Sequence, residues 1–385
     1  KRNFMKRNNK DFFPVGFWNY TAAGYVKDVR AGAEDWKTLG MNVAMSSACN
    51  GEEDKEYILK SLDAAYEQGI KMIVCDKRTC WLYYTEHGGE AYKKAVLNAV
   101  KDFGAHPAFF AFSVGDEPHL YEWEDMKNAV KIVNSVSTAF INFLPLFDEN
   151  GPEWEGLTHG EYVDLLADTV KETGLFCLCY DCYSQCEYHF GEKDINEYFK
   201  NLSAFKRAAE KAGVPLWTTL LSVGHWRYRT PDIDDIRWQI YTAVSHGVNG
   251  ILWFFIYERD KDSSYRQAPI NLFFEKTPLF YILSDENRMF LKYYADNFIG
   301  ARLKRVYHKG KVYADYKEYV NGGIEELSFT GEYGASLIVS EFENESGAFV
   351  CITNNEQRDI EHLTGEYKNK KFDEWFASGQ LIVLK

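Results

Sequence analysis

Two adjacent acidic residues, Asp116 and Glu117, follow the apolar run AFFAFSV, and Gly115 and Pro118 flank them. An apolar run bounded by Gly and Pro is typical of a buried strand, so both carboxyl groups are expected at its carboxyl end. Carboxyl groups held in such a place can donate and accept protons. Adjacent acids also occur where they only cap the next helix, so the pair by itself leaves both interpretations open.

Eight short apolar runs alternate with amphipathic segments between residues 14 and 300. This alternation is typical of βα units, and eight of them match a (β/α)8 barrel in number, order and length. Most of the predicted helices end at a glycine. We predict strands at 14–20, 41–48, 70–76, 108–120, 139–146, 175–183, 214–223 and 250–257. The first predicted helix ends near residue 39. The others span 54–68, 89–103, 121–135, 160–172, 195–212, 233–245 and 286–298.

The pattern changes after Gly300, where short alternating runs such as ASLIVSEFE and GAFVCITNN are separated by turn residues. Period-two alternation without a helical period predicts a small antiparallel β domain. We therefore expect a barrel over residues 1–300 and a β-sandwich-like accessory domain over residues 301–385.

Composition and charge limit the classes of molecule that the protein can bind. The formal charge of −13 disfavours nucleic acid or an anionic membrane, because both require clustered Lys and Arg. No apolar run approaches the eighteen residues of a membrane span, and no strand is followed by a glycine-rich nucleotide motif. With 10 Trp, 26 Tyr and 27 Phe, a neutral ligand with apolar faces and polar rims, such as a sugar, fits better. We predict no cofactor, and the sequence does not indicate an oligomeric state.

The amino-terminal residues are basic but contain no apolar segment of the kind found in a secretory signal. Two locations remain open on this basis. The protein is cytoplasmic, or it is secreted or held at the cell surface after removal of a signal segment.

The spacing of Cys177, Cys179, Cys182 and Cys186 invites a metal interpretation. The paired knuckles of structural zinc sites are missing, however, and two of these residues fall inside an apolar strand pattern. We therefore predict no metal site and expect the strand cysteines to act as small hydrophobic residues.

The residues that follow each strand of a barrel face one shared pocket. Glu117 and Asp181 there would supply the two carboxyl groups that cleavage of a glycosidic bond usually requires. Burial and the neighbouring Asp116 would raise the pKa of Glu117, as suits a general acid. Asp181 could instead only orient Arg78 or a tyrosine. The other predicted pocket residues are Trp18, Asn19, Asp76, Arg78, Asp116, Tyr180, Tyr183, His225, Trp253, Tyr257 and Glu258.

Other chemistries have weaker support. His225 could be a base or a metal ligand, but no histidine pair has metal-binding spacing, which favours a lone histidine satisfied by its surroundings. No serine lies in a nucleophile elbow. Lys77 could form a Schiff base, although Asp76 and Arg78 beside it favour an ion pair.

The run HPAFFAFSVGDEP at 106–118 resembles the fourth strand of the large clan of retaining (β/α)8-barrel glycoside hydrolases. YDCYS at 180–184 and GVNGILWFFIY at 247–257 resemble the sixth and eighth strands of bacterial members. The clan's fourth strand ends in Asn-Glu-Pro with the Glu as acid/base, so the resemblance implies that role for Glu117. Asp116 replaces the Asn that usually binds the sugar 2-hydroxyl. The resemblance covers about residues 12–300, and a carboxyl-terminal β-sandwich is common in the clan.

The chain departs from the clan at the seventh strand. The clan's nucleophile Glu stands at the end of that strand, where this chain has LSVGH at 221–225 and no acid. A second carboxylate would therefore come from elsewhere, with Asp181 first and Glu258 second. A weaker likeness to chitinase-like barrels, whose sixth strand ends in Tyr-Asp, implies a substrate-assisted mechanism.

Two functions follow, a glycoside hydrolase and a non-catalytic carbohydrate-binding barrel that has lost its nucleophile. We favour the hydrolase, because Glu117 keeps its expected position and another acid is available. With the usual nucleophile missing, we expect inversion at the anomeric carbon. That outcome requires about 6.5–9.5 Å between the carboxyl groups of Glu117 and Asp181, whereas retention requires about 5–5.5 Å.

Overall fold

The computed structural model describes residues 6–7, 10–19, 21–145, 156–189, 191–259 and 264–385. Eight parallel strands form one sheet, in which the first strand of the chain lies beside the eighth and the others follow in descending order to the second. Every predicted strand is present, although each is shorter than its apolar run; Tyr20 and Leu146, at the ends of two runs, lie outside the described residues. The strands are β1 Val15–Phe17, β2 Val43–Met45, β3 Lys71–Val74, β4 Phe109–Asp116, β5 Ala139–Phe143, β6 Leu178–Asp181, β7 Leu216–Leu221 and β8 Gly250–Phe254.

The two edges of this sheet, β1 and β2, meet and close the barrel. The Asn42 backbone N–H donates to the Val15 carbonyl at 2.8 Å, and the Val15 N–H donates to Asn42 Oδ1 at 2.9 Å. A further parallel bridge links Ala22 to Ala48. The predicted (β/α)8 barrel is therefore confirmed.

Helices follow the strands on the outside of the barrel. The last long helix begins at Pro278, earlier than predicted, since proline is well tolerated in a first turn. The short helix α3 was not predicted. No helix in the described part of the chain is both long and apolar enough to cross a membrane. The helices are α1 Val29–Thr38, α2 Lys55–Glu67, α3 Trp81–His87, α4 Gly89–Phe103, α5 Trp123–Val136, α6 His159–Thr173, α7 Glu192–Ala212, α8 Ile233–Ser245, α9 Pro278–Tyr293 and α10 Ala295–Phe298.

The barrel has two apolar layers because successive strand residues point to opposite faces. The inner layer fills the barrel and includes Ile73, Phe110 and Trp217. The outer layer lies between the strands and helices and includes Val74 and Phe112. Every second residue of a strand can therefore reach the interior, while its neighbours face the helices.

The carboxyl-terminal strands form two antiparallel-rich sheets of five and three strands. Side chains from both sheets, among them Val339 and Ile352 of one and Phe329 and Leu363 of the other, form a common apolar core. The predicted antiparallel β domain is thus present after the barrel. Its strands are β9 Arg302–Lys309, β10 Lys317–Glu318, β11 Leu327–Gly331, β12 Leu337–Asn344, β13 Gly347–Asn354, β14 Glu361–Tyr367, β15 Lys370–Phe376 and β16 Leu381–Leu384.

The five-stranded sheet packs against α8 of the barrel. Apolar residues of the sheet, including Ile338 and Leu381, belong to the same cluster as the outer layer of the barrel. Buried hydrogen bonds cross the contact, such as Ser245 Oγ to Thr353 Oγ1 at 2.7 Å and Trp238 Nε1 to Asn355 Oδ1 at 3.1 Å. The sheet is therefore fixed to the barrel, and the division of the chain at residue 300 stays a prediction.

Candidate active site

A cavity of about 600 Å³ lies at the carboxyl ends of the barrel strands. Three acids of the strand ends, Asp116, Glu117 and Asp181, lie on one side of it. Residues of the loops that follow β7 and β8 form much of the remaining wall. The lining residues are Trp18, Asp116, Glu117, Asn142, Leu144, Pro145, Asp181, Cys182, Tyr183, Ser184, Glu197, Thr219, His225, Trp226, Arg227, Tyr228, Phe254, Arg259 and Tyr265.

The end of β4 has an irregular backbone that places its two acids. The register between β4 and β5 shifts between Ser113 and Gly115, and a bulge of this kind re-aims the side chains beyond it. Gly115 has φ +146°, and an added Cβ would lie 1.8 Å from the Trp81 ring. Glu117 has φ +49°, a left-handed conformation that is uncommon for this residue type. Unusual backbone of this sort often marks a functional site.

Asn142 of β5 joins two of the acids. Its Nδ2 donates to Asp116 Oδ1 at 3.0 Å and to Asp181 Oδ1 at 2.7 Å. Tyr183 also donates a hydrogen bond to Asp181. The donors Asn142 and Tyr183 favour the ionised form of Asp181, so Glu117 is the more readily protonated acid of the two.

Burial and like charge act together on Glu117. Burial is the largest cause that raises its pKa, followed by the charges of Asp181 and Asp116. The pKa of Asp181 is also raised, first by burial and then by Asp116, while its hydrogen bonds to Asn142 and Tyr183 act in the opposite direction. Glu117 therefore stays protonated at neutral pH, as the sequence led us to expect.

Aromatic side chains form much of the remaining wall of the cavity. His225 is stacked on Tyr265 with ring centroids 5.0 Å apart, and the rings of Phe254 and Tyr228 lie 5.0 and 5.1 Å from it. Arg266 connects the two loops, since it donates to the Tyr228 carbonyl at 2.8 Å and belongs to the loop after β8. Flat apolar faces beside polar edges suit the rings of sugars.

Six of the residues predicted from the sequence line this cavity. They come from four barrel strands or the loops that follow them, which confirms that these strand ends meet. They are Trp18, Asp116, Glu117, Asp181, Tyr183 and His225.

Three predicted residues point to the helices instead. Tyr180 stacks on Phe205 of α7 at 4.0 Å, and Trp253 Nε1 donates to Asn287 of α9 at 3.0 Å. The Tyr257 hydroxyl accepts a hydrogen bond from Trp36 of α1 at 2.6 Å. Their prediction as pocket residues was wrong, because Tyr180 and Trp253 alternate along their strands with the inward-facing Asp181 and Phe254.

Four other predicted residues also lie outside the cavity lining. Asn19 is buried and donates to the Met45 carbonyl at 3.2 Å. Asp76 and Arg78 form an ion pair of 2.7 Å, and Arg78 also binds Asp102 at 2.8 Å. Glu258 is held in the loop after β8, where its N–H donates to the Ile270 carbonyl at 2.8 Å. The hydrogen bonds and ion pairs named here hold these four residues outside the cavity lining.

The sequence interpretation missed several lining residues. Asn142 could have been found, because it is a polar residue within the apolar run AFINF. Trp226, Arg227 and Tyr228 lie just beyond the seventh strand, in a loop whose path no sequence pattern determines. Arg259 and Tyr265 belong to the loop after β8 and could not have been placed for the same reason.

Glu117 and Asp181 lie close enough for each carboxyl group to affect the pKa of the other. The separation of about 6.5–9.5 Å that would leave room for a water between them stays a prediction.

The cysteines are all free thiols, and Cys177 and Cys179 are buried in the inner layer of the barrel. Burial raises the pKa of both thiols well above its usual value. Within the described residues, no group of three or more His, Cys, Asp or Glu side chains could hold a metal ion.

Comparison with solved structures gives the class of fold. The sequence itself matches no protein-family model and no curated protein. An endo-β-1,4-mannanase from Thermotoga petrophila superposes with a TM-score of 0.51 at 14% identity, over 96% of this chain and 98% of that one. A GH5_18 variant from Bifidobacterium longum, in complex with Manβ1-4GlcNAc, gives 0.55 at 10% identity, over 74% and 79%.

A third neighbour is the β-galactosidase from the psychrophilic Marinomonas ef1, with a TM-score of 0.54 at 11% identity. The superposition covers 71% of this chain and spans 59% of the length of that enzyme. Identities this low establish the fold alone. The chain has the barrel fold that these glycoside hydrolases share.

Proposed function

We propose that the protein is a glycoside hydrolase in which Glu117 is the general acid. The observation that carries the proposal is the buried Glu117, whose pKa burial and the charges of Asp181 and Asp116 raise to about 9, in a cavity at the strand ends. Cleavage of a glycosidic bond requires a carboxylic acid that protonates the leaving oxygen. The glycoside hydrolases among the structural neighbours support the same class.

In this mechanism the acid cluster keeps one proton available. Asp181 repels a negative charge on Glu117, so the proton stays on Glu117 until the leaving oxygen of the substrate accepts it. Asn142 donates to Asp181 and Asp116 and holds both in place. Trp18, Tyr183 and the other aromatic residues of the cavity pack against the sugar. The substrate is a carbohydrate, and nucleic acid does not fit the negative charge of the chain.

The test is a screen of aryl glycosides and glycan polymers with the wild type and Glu117→Gln. On substrates with poor leaving groups we expect kcat to fall by about two to four powers of ten, because proton donation is lost. With a dinitrophenolate leaving group, which departs without a proton, the loss should be much smaller. Glu258→Gln is the matched control, since Glu258 also follows a strand but does not line the cavity.

Full activity of Glu117→Gln on a poor leaving group would remove the assignment. Glycan binding by the wild type without any hydrolysis would instead favour the non-catalytic carbohydrate-binding barrel. Calorimetric titration with the same glycans distinguishes that outcome from a wrong choice of substrates.

A further inference from the structure

His225 is a buried side chain of the cavity whose hydrogen bonding is incomplete. It is 2% exposed, follows β7 and lines the same cavity as the acid cluster. Nδ1 lies 3.4 Å from the Val223 carbonyl. Among the residues that the structure describes, Nε2 has no hydrogen-bond partner.

The contact of Nδ1 determines the tautomer. A carbonyl only accepts, so Nδ1 carries the hydrogen and Nε2 carries a lone pair. Burial, together with the charge of Arg266, lowers the pKa of His225 to about 4, although the bond to Val223 partly opposes this. The imidazole is therefore neutral from weakly acidic pH upward, and Nε2 is a hydrogen-bond acceptor.

Packing fixes the direction of this acceptor. The His225 ring is nearly parallel to Tyr265, with an interplanar angle of 5°, and Phe254 and Tyr228 lie against it at 47° and 48°. Arg266 holds the Tyr228 carbonyl at 2.8 Å. An acceptor oriented this firmly is suited to a directed proton transfer.

We propose that His225 is the general base of a single-displacement hydrolysis, in which Nε2 takes a proton from the water that attacks the anomeric carbon. The inference rests on the proposed function, because Glu117 must act as the acid in the same step. The water oxygen forms a bond to the anomeric carbon while the bond to the leaving oxygen breaks. Glu117 gives its proton to that oxygen.

The products of the step balance. The sugar leaves as a hemiacetal of inverted configuration, and the leaving group departs as an alcohol. His225 becomes an imidazolium and Glu117 a carboxylate. One proton released from His225 to solvent and one taken up by Glu117 restore the starting state.

Two observations favour His225 over Asp181 as this base. Asp181 already accepts hydrogen bonds from Asn142, at 2.7 Å, and from Tyr183, and both bonds make it a weaker base. A lone pair whose conjugate acid has a pKa of about 4 is about as basic as the ordinary carboxylate that serves inverting enzymes. Imidazole at this position thus offers the base strength that a carboxylate would supply.

The first test is the anomer formed by the wild type, followed by proton NMR on the substrate that the screen identifies. We expect inversion. Retention would overturn the inference and favour either a double displacement or assistance by an acetamido group of the substrate. A wild type that cleaves no glycoside would overturn the proposed function itself, so the two failures can be distinguished.

The second test uses His225→Ala with sodium azide. We expect kcat to fall by about two to four powers of ten with little change in KM. Azide attacks without losing a proton. It should therefore raise the kcat of His225→Ala at least tenfold and give a glycosyl azide of inverted configuration. His225→Phe, which keeps the aromatic packing, should be equally inactive and should fold. An active His225→Phe, or a His225→Ala that azide does not restore, would overturn the role.

Discussion

Two clusters of carboxyl groups lie beside the ends of barrel strands, and they differ in their neighbours. Asp76, after β3, and Asp102, in α4, bind the guanidinium of Arg78 at 2.7 and 2.8 Å, and Asp102 also binds Lys55 at 2.7 Å. Lys55 and Arg78 lower the pKa of Asp102, although burial acts to raise it. This cation-paired cluster lies beside the end of β3, outside the cavity lining.

Glu117 and Asp181, at the ends of β4 and β6, have different neighbours. Asn142 and Tyr183 donate hydrogen bonds to Asp181, and burial together with the charges of Asp181 and Asp116 keeps a proton on Glu117. Acids paired with cations stabilise the fold, whereas an acid kept protonated by burial and neighbouring acids can do chemistry. Loss of a cation should therefore destabilise the protein, whereas removal of the protonated acid should stabilise it at high pH.

The largest expected effect belongs to the cation-paired cluster. Arg78→Met should lower the free energy of unfolding by about 3–5 kcal/mol, because it leaves the buried carboxylate of Asp76 without its cation. Denaturant unfolding measures this loss. Arg30→Met is the matched control, since Arg30 pairs with Glu67 at 3.3 Å on the surface with 75% of its side chain exposed. A loss as small as that of the control would show that the two clusters do not differ as described.

Glu117→Gln should stabilise the protein at alkaline pH. Burial and the charges of Asp181 and Asp116 raise the pKa of Glu117 well above that of an ordinary glutamate, so the folded state holds a proton that the unfolded state has released. Wild-type stability therefore falls as pH rises above about 4.5, and removing the acid should recover about 1–2 kcal/mol at pH 8. Thermal unfolding at pH 4 and pH 8 measures the difference, which should vanish at pH 4. Glu34→Gln, on an exposed helix position, should show no such gain.

Asp181→Asn should move the alkaline limb of the pH profile of kcat/KM to lower pH. The charge of Asp181 helps to raise the pKa of Glu117, and its removal lowers that pKa. We expect a shift of about one pH unit. Glu197→Gln serves as the control, because Glu197 lines the cavity but is not among the groups that raise the pKa of Glu117. An unchanged limb would mean that Asp181 does not influence the acid.

Lys55→Met should give the smallest effect. Its side chain is 32% exposed, and Asp102 keeps Arg78 as a partner. We expect a drop in Tm well below that of Arg78→Met, and the drop should shrink in high salt because solvent ions screen exposed pairs. If Lys55→Met lowered Tm as much as Arg78→Met does, Lys55 would be as important as Arg78 for neutralising these carboxyl groups.

The fold could be predicted from the sequence because the barrel repeats one pattern eight times. The position of Glu117 could be predicted for a local reason, since a buried run ending in Gly-Asp-Glu-Pro places the acids at a strand end. Which neighbour faces inward was harder to determine. Runs buried on both faces are apolar throughout, so the period-two signal that separates Trp253 from Phe254 is absent.

The rest of the site depends on contacts between distant segments. Arg266 holds the loop of Tyr228 across 38 residues, and Asn142 joins acids 26 and 39 residues away. Neither contact leaves a periodic mark in the sequence. Asp76 and Arg78 show the converse case, because a cation near an acid indicated an ion pair that the structure contains.

The packing of the last sheet on the barrel also affects the order of events during synthesis. Leu381 of β16 shares the outer apolar layer with residues of the barrel, and Gly379 lies so close to Trp238 that an added Cβ would be 2.5 Å from its backbone. The surface of α8 that receives these residues stays uncovered while the ribosome translates the codons between 246 and 379. The nascent barrel thus exposes this part of the apolar face of α8 until β16 has been made, which gives chaperones a binding site during that interval.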